Sequence, residues 1–240
     1  MKGYKGKILC VDLDKMVLEE KTVPDGIYQK YLSGVGLGAW YLFGNIPTGA
    51  DPLGPHNILG FVSGLLTGTG SLVTGRWMVV CKSPLTGGWG DANCGGTLSP
   101  AIKRCGYDGI FFSGIATEPV CLIIDNDGAR LEPAGDLWGK DAIESENILS
   151  ERYGKGKKPA VAVIGQAGEK LSLISGICND GGRIAARSGC GAVMGSKKLK
   201  ALVLAGEGKI ESSNRKEIIR LSREFAEKAK KVNLPGFIKG

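Results

Sequence analysis

Glycine occupies 39 of the 240 positions in this chain, more than twice its usual share of about 7%. No residue loses more conformational freedom on folding. A chain this rich in glycine therefore spends it where the main chain turns with positive φ or closely approaches another body. The glycines crowd three segments. The first is Thr67-Gly68-Thr69-Gly70-Ser71-Leu72-Val73-Thr74-Gly75-Arg76. The second runs from Lys82-Ser83-Pro84-Leu85-Thr86-Gly87 to Asp91-Ala92-Asn93-Cys94-Gly95-Gly96. The third runs from Asn179-Asp180-Gly181-Gly182-Arg183 to Lys200.

Around these segments the pattern is mostly β. Lys7–Leu13 and Met16–Val23 read as a hairpin, with Leu9, Val11 and Leu13 alternating against Ile8, Cys10 and Asp12. Further strands are expected at Ile58–Ser63, Arg76–Lys82, Gly109–Ser113, Val120–Asp125, Ala129–Glu132, Ala160–Ile164, Leu171–Ile177 and Ala201–Ala205. Asn126-Asp127-Gly128 supplies the chemistry of a tight turn. Helices are expected at Ile27–Phe43, interrupted over Ser33–Gly38, at Pro100–Cys105 and at Asp141–Tyr153. A fourth is expected at Asn214–Lys231, where Asn214 caps the start and Ile218, Leu221, Phe225 and Ala229 line one side. Strands outnumber helices and come mostly in hairpins, which favours an α+β fold with antiparallel or mixed sheets over a doubly wound one. Near Glu207 glycine thins and charge rises. This divides the chain into a domain over 1–208 and a segment, 209–240, whose helix starts a following domain and whose Leu234-Pro235-Gly236 reads as a linker.

Several function classes fall away. Gly34-Val35-Gly36-Leu37-Gly38 follows a helical segment rather than a strand, so it reads as a connection between two helical pieces and not as a dinucleotide loop. No P-loop motif and no G-x-S-x-G occurs. His56 is the only histidine and sits in turn chemistry, which excludes an imidazole metal site and a serine–histidine hydrolase. The seven cysteines include no C-x-x-C, which points to a reduced, cytoplasmic setting. No apolar run approaches a bilayer span and no leader pattern opens the chain, so neither membrane nor secretion is expected. The net charge of +7, part of it in Lys155–Lys158 and the last forty residues, admits an anionic ligand without calling for nucleic acid.

The three glycine segments offer main-chain amides unshielded by side chains, beside Arg76, Asn93, Arg183 and Arg187. Bidentate guanidinium groups and bare N–H groups together suit a bulky anion with several phosphate or carbonyl oxygens. The same residues carry a family resemblance. Gly75-Arg76, Lys82-Ser83-Pro84-Leu85-Thr86-Gly87, Ala92-Asn93-x-Gly95-Gly96, Gly106-Tyr107-Asp108, Ile164-Gly165-x-Ala167-Gly168-Glu169 and Gly191-Ala192-Val193-Met194-Gly195-Ser196-Lys197 occur in the right order across residues 3–230. This set resembles the N-terminal domain of the tungsten-containing aldehyde:ferredoxin oxidoreductases.

The resemblance implies two mixed β-sheets related by an approximate internal two-fold, with few helices, forming a base for a tungsten (or molybdenum) bis-pyranopterin. It implies that Arg76 contacts pterin phosphate, that Gly95 approaches the ligand closely, and that Arg183, Ala186 and Arg187 form the second pterin loop. The main-chain carbonyls of Asn93 and Ile184 would hold a Mg²⁺ bridging the phosphates, with Ile184 larger than the usual small residue there. No catalytic residue is expected in this part. The family's [4Fe–4S] cysteines, spaced C-x-x-C-x-x-x-C, and its substrate-facing residues lie downstream, and no cysteine here has that spacing. The expected role is therefore that of an incomplete unit, a fragment or a split subunit, inactive by itself. It would belong to an enzyme that oxidises aldehydes to acids with ferredoxin as acceptor and that forms a homo-oligomer with its missing C-terminal domains. Two alternatives stay open: an aromatic acyl-thioester reductase subunit of the same family, and a non-catalytic scaffold domain.

Overall fold

The computed structural model describes residues 3–154 and 156–231; Lys155 and the expected linker at Leu234–Gly236 lie outside the described residues. In chain order the elements are β1 (Lys7–Asp12), β2 (Val17–Thr22), α1 (Asp25–Tyr31), α2 (Val35–Asn45), β3 (Leu59–Ser63), β4 (Trp77–Lys82), β5 (Trp89–Cys94), α3 (Leu98–Arg104) and β6 (Gly109–Ser113). Then follow β7 (Val120–Asp125), β8 (Gly128–Pro133), α4 (Ala142–Tyr153), β9 (Ala160–Val163), α5 (Gln166–Glu169), β10 (Ile177–Asn179), β11 (Arg183–Ala185), α6 (Cys190–Ser196), β12 (Leu199–Leu204) and α7 (Arg215–Lys231).

The strands form two six-stranded sheets, β2-β1-β6-β3-β4-β5 and β8-β7-β12-β9-β10-β11. Adding six to every strand number of the first order yields the second. In each sheet one pair is parallel, β1 with β6 and β7 with β12, and every other pair is antiparallel. Helices fall at matching points: α1–α2 and α4 follow the hairpins, while α3 and α6 precede the closing parallel strand. The expected internal two-fold is thus present as a repeated topology, and each repeat ends its sheet in an edge strand, β5 or β11.

Hydrophobic burial explains the layering. Leu9, Val11, Phe61, Leu122 and Leu202 face inward between the sheets, where they close on Ile102 of α3 and Met194 of α6. On the outer face of the first sheet Ile8, Val62 and Phe111 pack against Tyr28, Leu37 and Leu42 of α1 and α2. On the second sheet Ile123, Val161 and Val203 pack against α4 through Leu149. Central strands such as β3 are consequently buried on both faces and read as unbroken apolar runs.

The structure departs from the sequence reading in identifiable places. Residues 171–176 are irregular; Leu171, Leu173 and Ile174 are exposed, Leu171 has φ 58°, and only Ile177 of that expected strand joins β10. The interruption in the first helical stretch is confined to 32–34, and Gly36 and Gly38 lie inside α2. Pro100 sits in the first turn of α3, where a missing N–H costs nothing. In α7 the Asn214 side chain accepts from the Glu217 N–H at 3.0 Å, as expected of a cap. Of the expected apolar side, Ala229 is buried and Ile218 partly so, whereas Leu221 and Phe225 stay half exposed and Ile219 and Ser222 face the protein instead. Helix α6, Cys190–Ser196, is too short and glycine-rich to show a helical apolar period in sequence. Its Gly195 lets the α5 turn press so close that a Cβ would lie 2.0 Å from the Gly168 carbonyl oxygen.

Candidate functional site

The two edge strands β5 and β11 lie against one another where the sheets meet. Arg76, the residue ahead of β4, donates from Nε to the Asn93 side-chain oxygen at 2.5 Å and from Nη2 to the Asn93 main-chain carbonyl at 3.1 Å. Two residues on, a Cβ at Gly95 would meet only Arg183 Nη1, at 3.5 Å. Arg183 begins β11, opposite Asn179. The structure therefore brings Arg76, Asn93, Gly95 and Arg183, drawn from three distant segments, onto one face. Arg76, Asn93 and Arg183 are exposed there, and half of Ile184 is too.

Side-chain clasps hold the strands in this arrangement. Asp180 accepts from the Thr97 N–H at 2.6 Å and the Thr97 hydroxyl at 2.7 Å. Asn179 donates from Nδ2 to the Gly95 carbonyl at 3.1 Å and to Asp180 at 2.8 Å, and accepts from the Cys94 thiol at 3.2 Å. At the other end of β5 the Ser188 hydroxyl donates to the Asp91 carbonyl at 2.6 Å. Gly96 has φ 103°, and the clasp leaves it no room for a side chain, because a Cβ would sit 1.9 Å from Asp180 Oδ2. Asn179, Asp180, Thr97 and Ser188 were not singled out from sequence, although Asn179-Asp180-Gly181-Gly182 carries turn chemistry that flags the clasp.

Ala186 and Arg187 lie on the loop from β11 to α6, exposed, and reach β5 through the Ser188 bond. Three successive residues of this loop have positive φ: Arg187 at 74°, Ser188 at 56° and Gly189 at 69°. Two adjacent non-glycine residues in that region are costly, and such backbone strain concentrates at binding sites. Gly189 lies under Pro84 of the second glycine segment, whose carbon would be 2.7 Å from a Cβ there.

The electrostatics favour an anion. Among the described residues the arginines in ion pairs are Arg130, Arg152 and Arg220, and no carboxylate pairs with Arg76, Arg183 or Arg187. Burial pushes the Cys94 thiol up, while the Arg76 and Arg183 guanidinium groups both pull it down, which places both charges near one point. Gly75, beside Arg76, adds main chain facing open space, with no heavy atom near a Cβ there, whereas the Gly87 and Gly181 amides are taken by the Ser83 carbonyl and by Glu146 Oε2.

Other motif residues serve the fold. Asp108 accepts from the Lys5 and Gly6 amides and from the Tyr28 hydroxyl. Glu169 forms a buried ion pair with Lys200 at 2.6 Å. Lys197 donates to the carbonyls of Asn57 and Gly114, and Lys82 to that of Ala50. His56 is an exposed turn residue. Among the described residues no group of three or more His, Cys, Asp or Glu is arranged to hold a metal, and no helix is long and apolar enough to cross a membrane.

Two mixed sheets of repeated topology, meeting edge to edge at an arginine- and glycine-lined face, define an α+β class of domain. The family model described as "Aldehyde ferredoxin oxidoreductase, N-terminal domain" matches residues 8–206, and the chain belongs to this family. It is 39% identical to a tungsten-containing aldehyde ferredoxin oxidoreductase of Pyrococcus abyssi, over 98% of this chain and 39% of that protein. It is 35% identical to the WOR-like subunit of an aliphatic sulfonate oxidoreductase of Pyrococcus furiosus, over 94% of this chain and 38% of that protein. Among solved structures, the active-site complex BamBC of benzoyl coenzyme A reductase, determined with 1,5-dienoyl-CoA, shares the fold with a TM-score of 0.91 and 33% identity. That match covers 96% of this chain and 35% of the other. The chain thus spans about two fifths or less of these relatives.

Proposed function

We propose that the chain is the N-terminal cofactor-binding part of an aldehyde ferredoxin oxidoreductase-type enzyme, with residues 1–208 as the cofactor-binding domain and 209–240 opening a helical one. The observation that carries this reading is the face shared by Arg76, Asn93, Gly95 and Arg183, whose guanidinium groups have no carboxylate partner. A tungsten (or molybdenum) bis-pyranopterin brings phosphates that such groups are suited to neutralise, and the uncovered glycine backbone leaves room for its flat rings. The residues fit the group. Arg76 and Arg183 would bind phosphate, Gly95 would admit the ligand's close approach, and Ala186 and Arg187 would form the loop on the other side. The main-chain oxygens of Asn93 and Ile184 would hold Mg²⁺, a hard cation that prefers oxygen, with Arg76, which donates to the Asn93 carbonyl in this structure, turning to the phosphate.

When bound, the tungsten centre supplies the two-electron oxidation of an aldehyde to an acid. The chain's own part is to bind, orient and screen. The clasp of Asn179, Asp180 and Thr97 fixes the spacing between the two arginine-bearing halves, and the strained turn at Arg187 and Ser188 keeps the Arg187 side chain on the exposed side of the loop. The [4Fe–4S] cluster, the substrate-facing residues and the surface for ferredoxin would come from downstream sequence, in a cytoplasmic homo-oligomer.

Arg76→Ala and Arg183→Ala in the complete enzyme should each cut tungsten and organic phosphorus per chain several-fold while the melting temperature moves by a few degrees at most. Equal loss of cofactor and stability would make the arginines structural. An unsubstituted enzyme with neither metal nor phosphorus would make the domain a scaffold. A second reading, reduction of an aromatic acyl thioester, draws on the match to the benzoyl coenzyme A reductase complex. Parallel assays with aldehydes and with aromatic acyl-CoA esters separate the two.

A further inference from the structure

The segment that delivers Arg76 is a loop of turns between β3 and β4, and part of its shape comes from within. The Thr67 hydroxyl donates to the Thr74 carbonyl at 2.6 Å, and Thr69 and Thr74 donate to the carbonyls of Leu66 and Ser71 at 2.7 and 2.9 Å. At its end Ser99 of α3, buried, donates to the Arg76 carbonyl at 3.1 Å. Within the stretch from Gly68 to Val73, buried Thr69 is tied to the Leu66 carbonyl and the Ser71 carbonyl to Thr74, while the Gly70 carbonyl and the Leu72 amide find their partner in α7. The stretch includes three residues of positive φ: Gly68 at 74° and Gly70 at 97°, which glycine adopts freely, and Val73 at 62°, a strained position for a β-branched residue.

What holds it comes from the other end of the chain. Ser222 of α7 accepts from the Leu72 N–H at 3.1 Å and donates to the Gly70 carbonyl at 3.4 Å, and so closes both sides of the turn with one hydroxyl. Ile219, one helical turn earlier, lies over Gly70, where a Cβ would be 3.3 Å from its Cγ1. Ile210, in the link between β12 and α7, lies over Gly68, where a Cβ would be 2.3 Å from its Cδ1. The glycines of this loop are bare because isoleucines cover them, unlike Gly75 beside Arg76, which faces open space.

We propose that Ile210, Ile219 and Ser222 are positioning residues for Arg76: α7 and its link strap the Gly68–Val73 turn and so hold the guanidinium aimed at Asn93. This rests on the reading of the Arg76 face as a phosphate site. It assigns α7 a task at that site, so that cofactor retention is coupled to the docking of a helix that lies outside both sheets.

The test uses the complete enzyme with Ser222→Ala, Ile219→Ala, the conservative Ser222→Thr, and Arg76→Ala as reference. Three quantities are read: amide exchange over residues 66–76, tungsten and phosphorus per chain, and melting temperature. Loss of one hydrogen bond or one covering side chain should speed exchange in the turn about five- to tenfold. Retained cofactor should fall several-fold in Ser222→Ala and Ile219→Ala with little change in melting temperature, and Ser222→Thr should restore it. If Arg76→Ala loses cofactor while Ser222→Ala and Ile219→Ala keep it, the strap is refuted and the phosphate site stands. If Arg76→Ala itself keeps the cofactor, the phosphate site is refuted, and the strap's role falls with it.

Discussion

Substituting Gly96 by alanine tests the clasp between the two halves of the domain. At φ 103° any L side chain is strained, at a cost of about 1–2 kcal/mol. The new methyl carbon would stand 1.9 Å from Asp180 Oδ2, so the carboxylate must withdraw from the Thr97 amide and hydroxyl, now at 2.6 and 2.7 Å. Hydrogen bonds to an ionised acceptor contribute about 1.5–3 kcal/mol each. Since Thr97 is exposed, the lower figure applies, and the total comes to about 4–5 kcal/mol. That is a large share of the roughly 5–15 kcal/mol that stabilises an ordinary domain. Urea unfolding followed by tryptophan fluorescence reads the loss directly. Gly75→Ala, with no heavy atom near its Cβ, should stay within about 0.5 kcal/mol of the parent. In an Asp180→Ala background the clash with the carboxylate is gone, and Gly96→Ala should cost only the main-chain strain and the displacement of Asn179 Nδ2, which would stand 2.6 Å from the new carbon, a coupling of about 2–3 kcal/mol. The same cost in both backgrounds, or a cost below about 1 kcal/mol in the parent, would refute the clasp.

Two further predictions concern buried charge. Burial pushes the amines of Lys103 and Lys197 down to about 8, so between that pH and the ordinary lysine range the unfolded chain binds more protons than the folded one and stability rises with pH. Above about pH 9 burial acts the other way. The Cys105 and Cys121 thiols are pushed up to about 11 and about 12, so they ionise first in the unfolded chain and stability falls. Urea midpoints should therefore peak between about pH 9 and 10, about 2 kcal/mol above pH 7.5, and Lys197→Met should flatten the rising limb; a monotonic fall from pH 7.5 would contradict the assignment. Lys200→Met strands the Glu169 carboxylate, buried with only the Gly139 amide for company, and should cost about 3–5 kcal/mol, part of it recovered by adding Glu169→Gln. Thermal unfolding of the single and double variants checks this.

Which parts of the molecule were legible in the sequence follows from what each part is asked to do. Strands β1, β3, β6, β7, β9 and β12 sit in the middle of their sheets or beside the parallel pair, and hydrophobic runs announce them because both faces are covered. Strands β5 and β11 give no such signal. In β5 the inward positions are Gly90, Ala92 and Cys94, too small to register as an apolar stripe, and the outward ones are Trp89, Asp91 and Asn93. Strand β11 is three residues long and mostly exposed. The repeat gives no pattern signal for a related reason. Two halves with one topology but different side chains show no period in sequence; the family resemblance implies them, and the strand order displays them.

The unreadable strands are the ones that build the candidate site, and there is a physical reason for the coincidence. An edge strand presents unpaired main-chain donors and acceptors, a liability that folds normally blunt with charge, bulges or cover. Here each sheet leaves one edge open at the line where the sheets meet, and the clasps of Asn179, Asp180 and Ser188 join the edges through side chains rather than through a continued ladder. The carbonyls of Asp91 and Asn93 in β5, and of Gly95 just after it, are thereby met by Ser188, Arg76 and Asn179, and the exposed Arg76 and Arg183 side chains stand on a base stiffened by two packed sheets. Residues that serve such a face are chosen for small size, open backbone and cationic reach. Those choices break the hydrophobic pattern on which strand recognition depends, so the segments where pattern reading fails are also the ones where glycine and arginine point to binding.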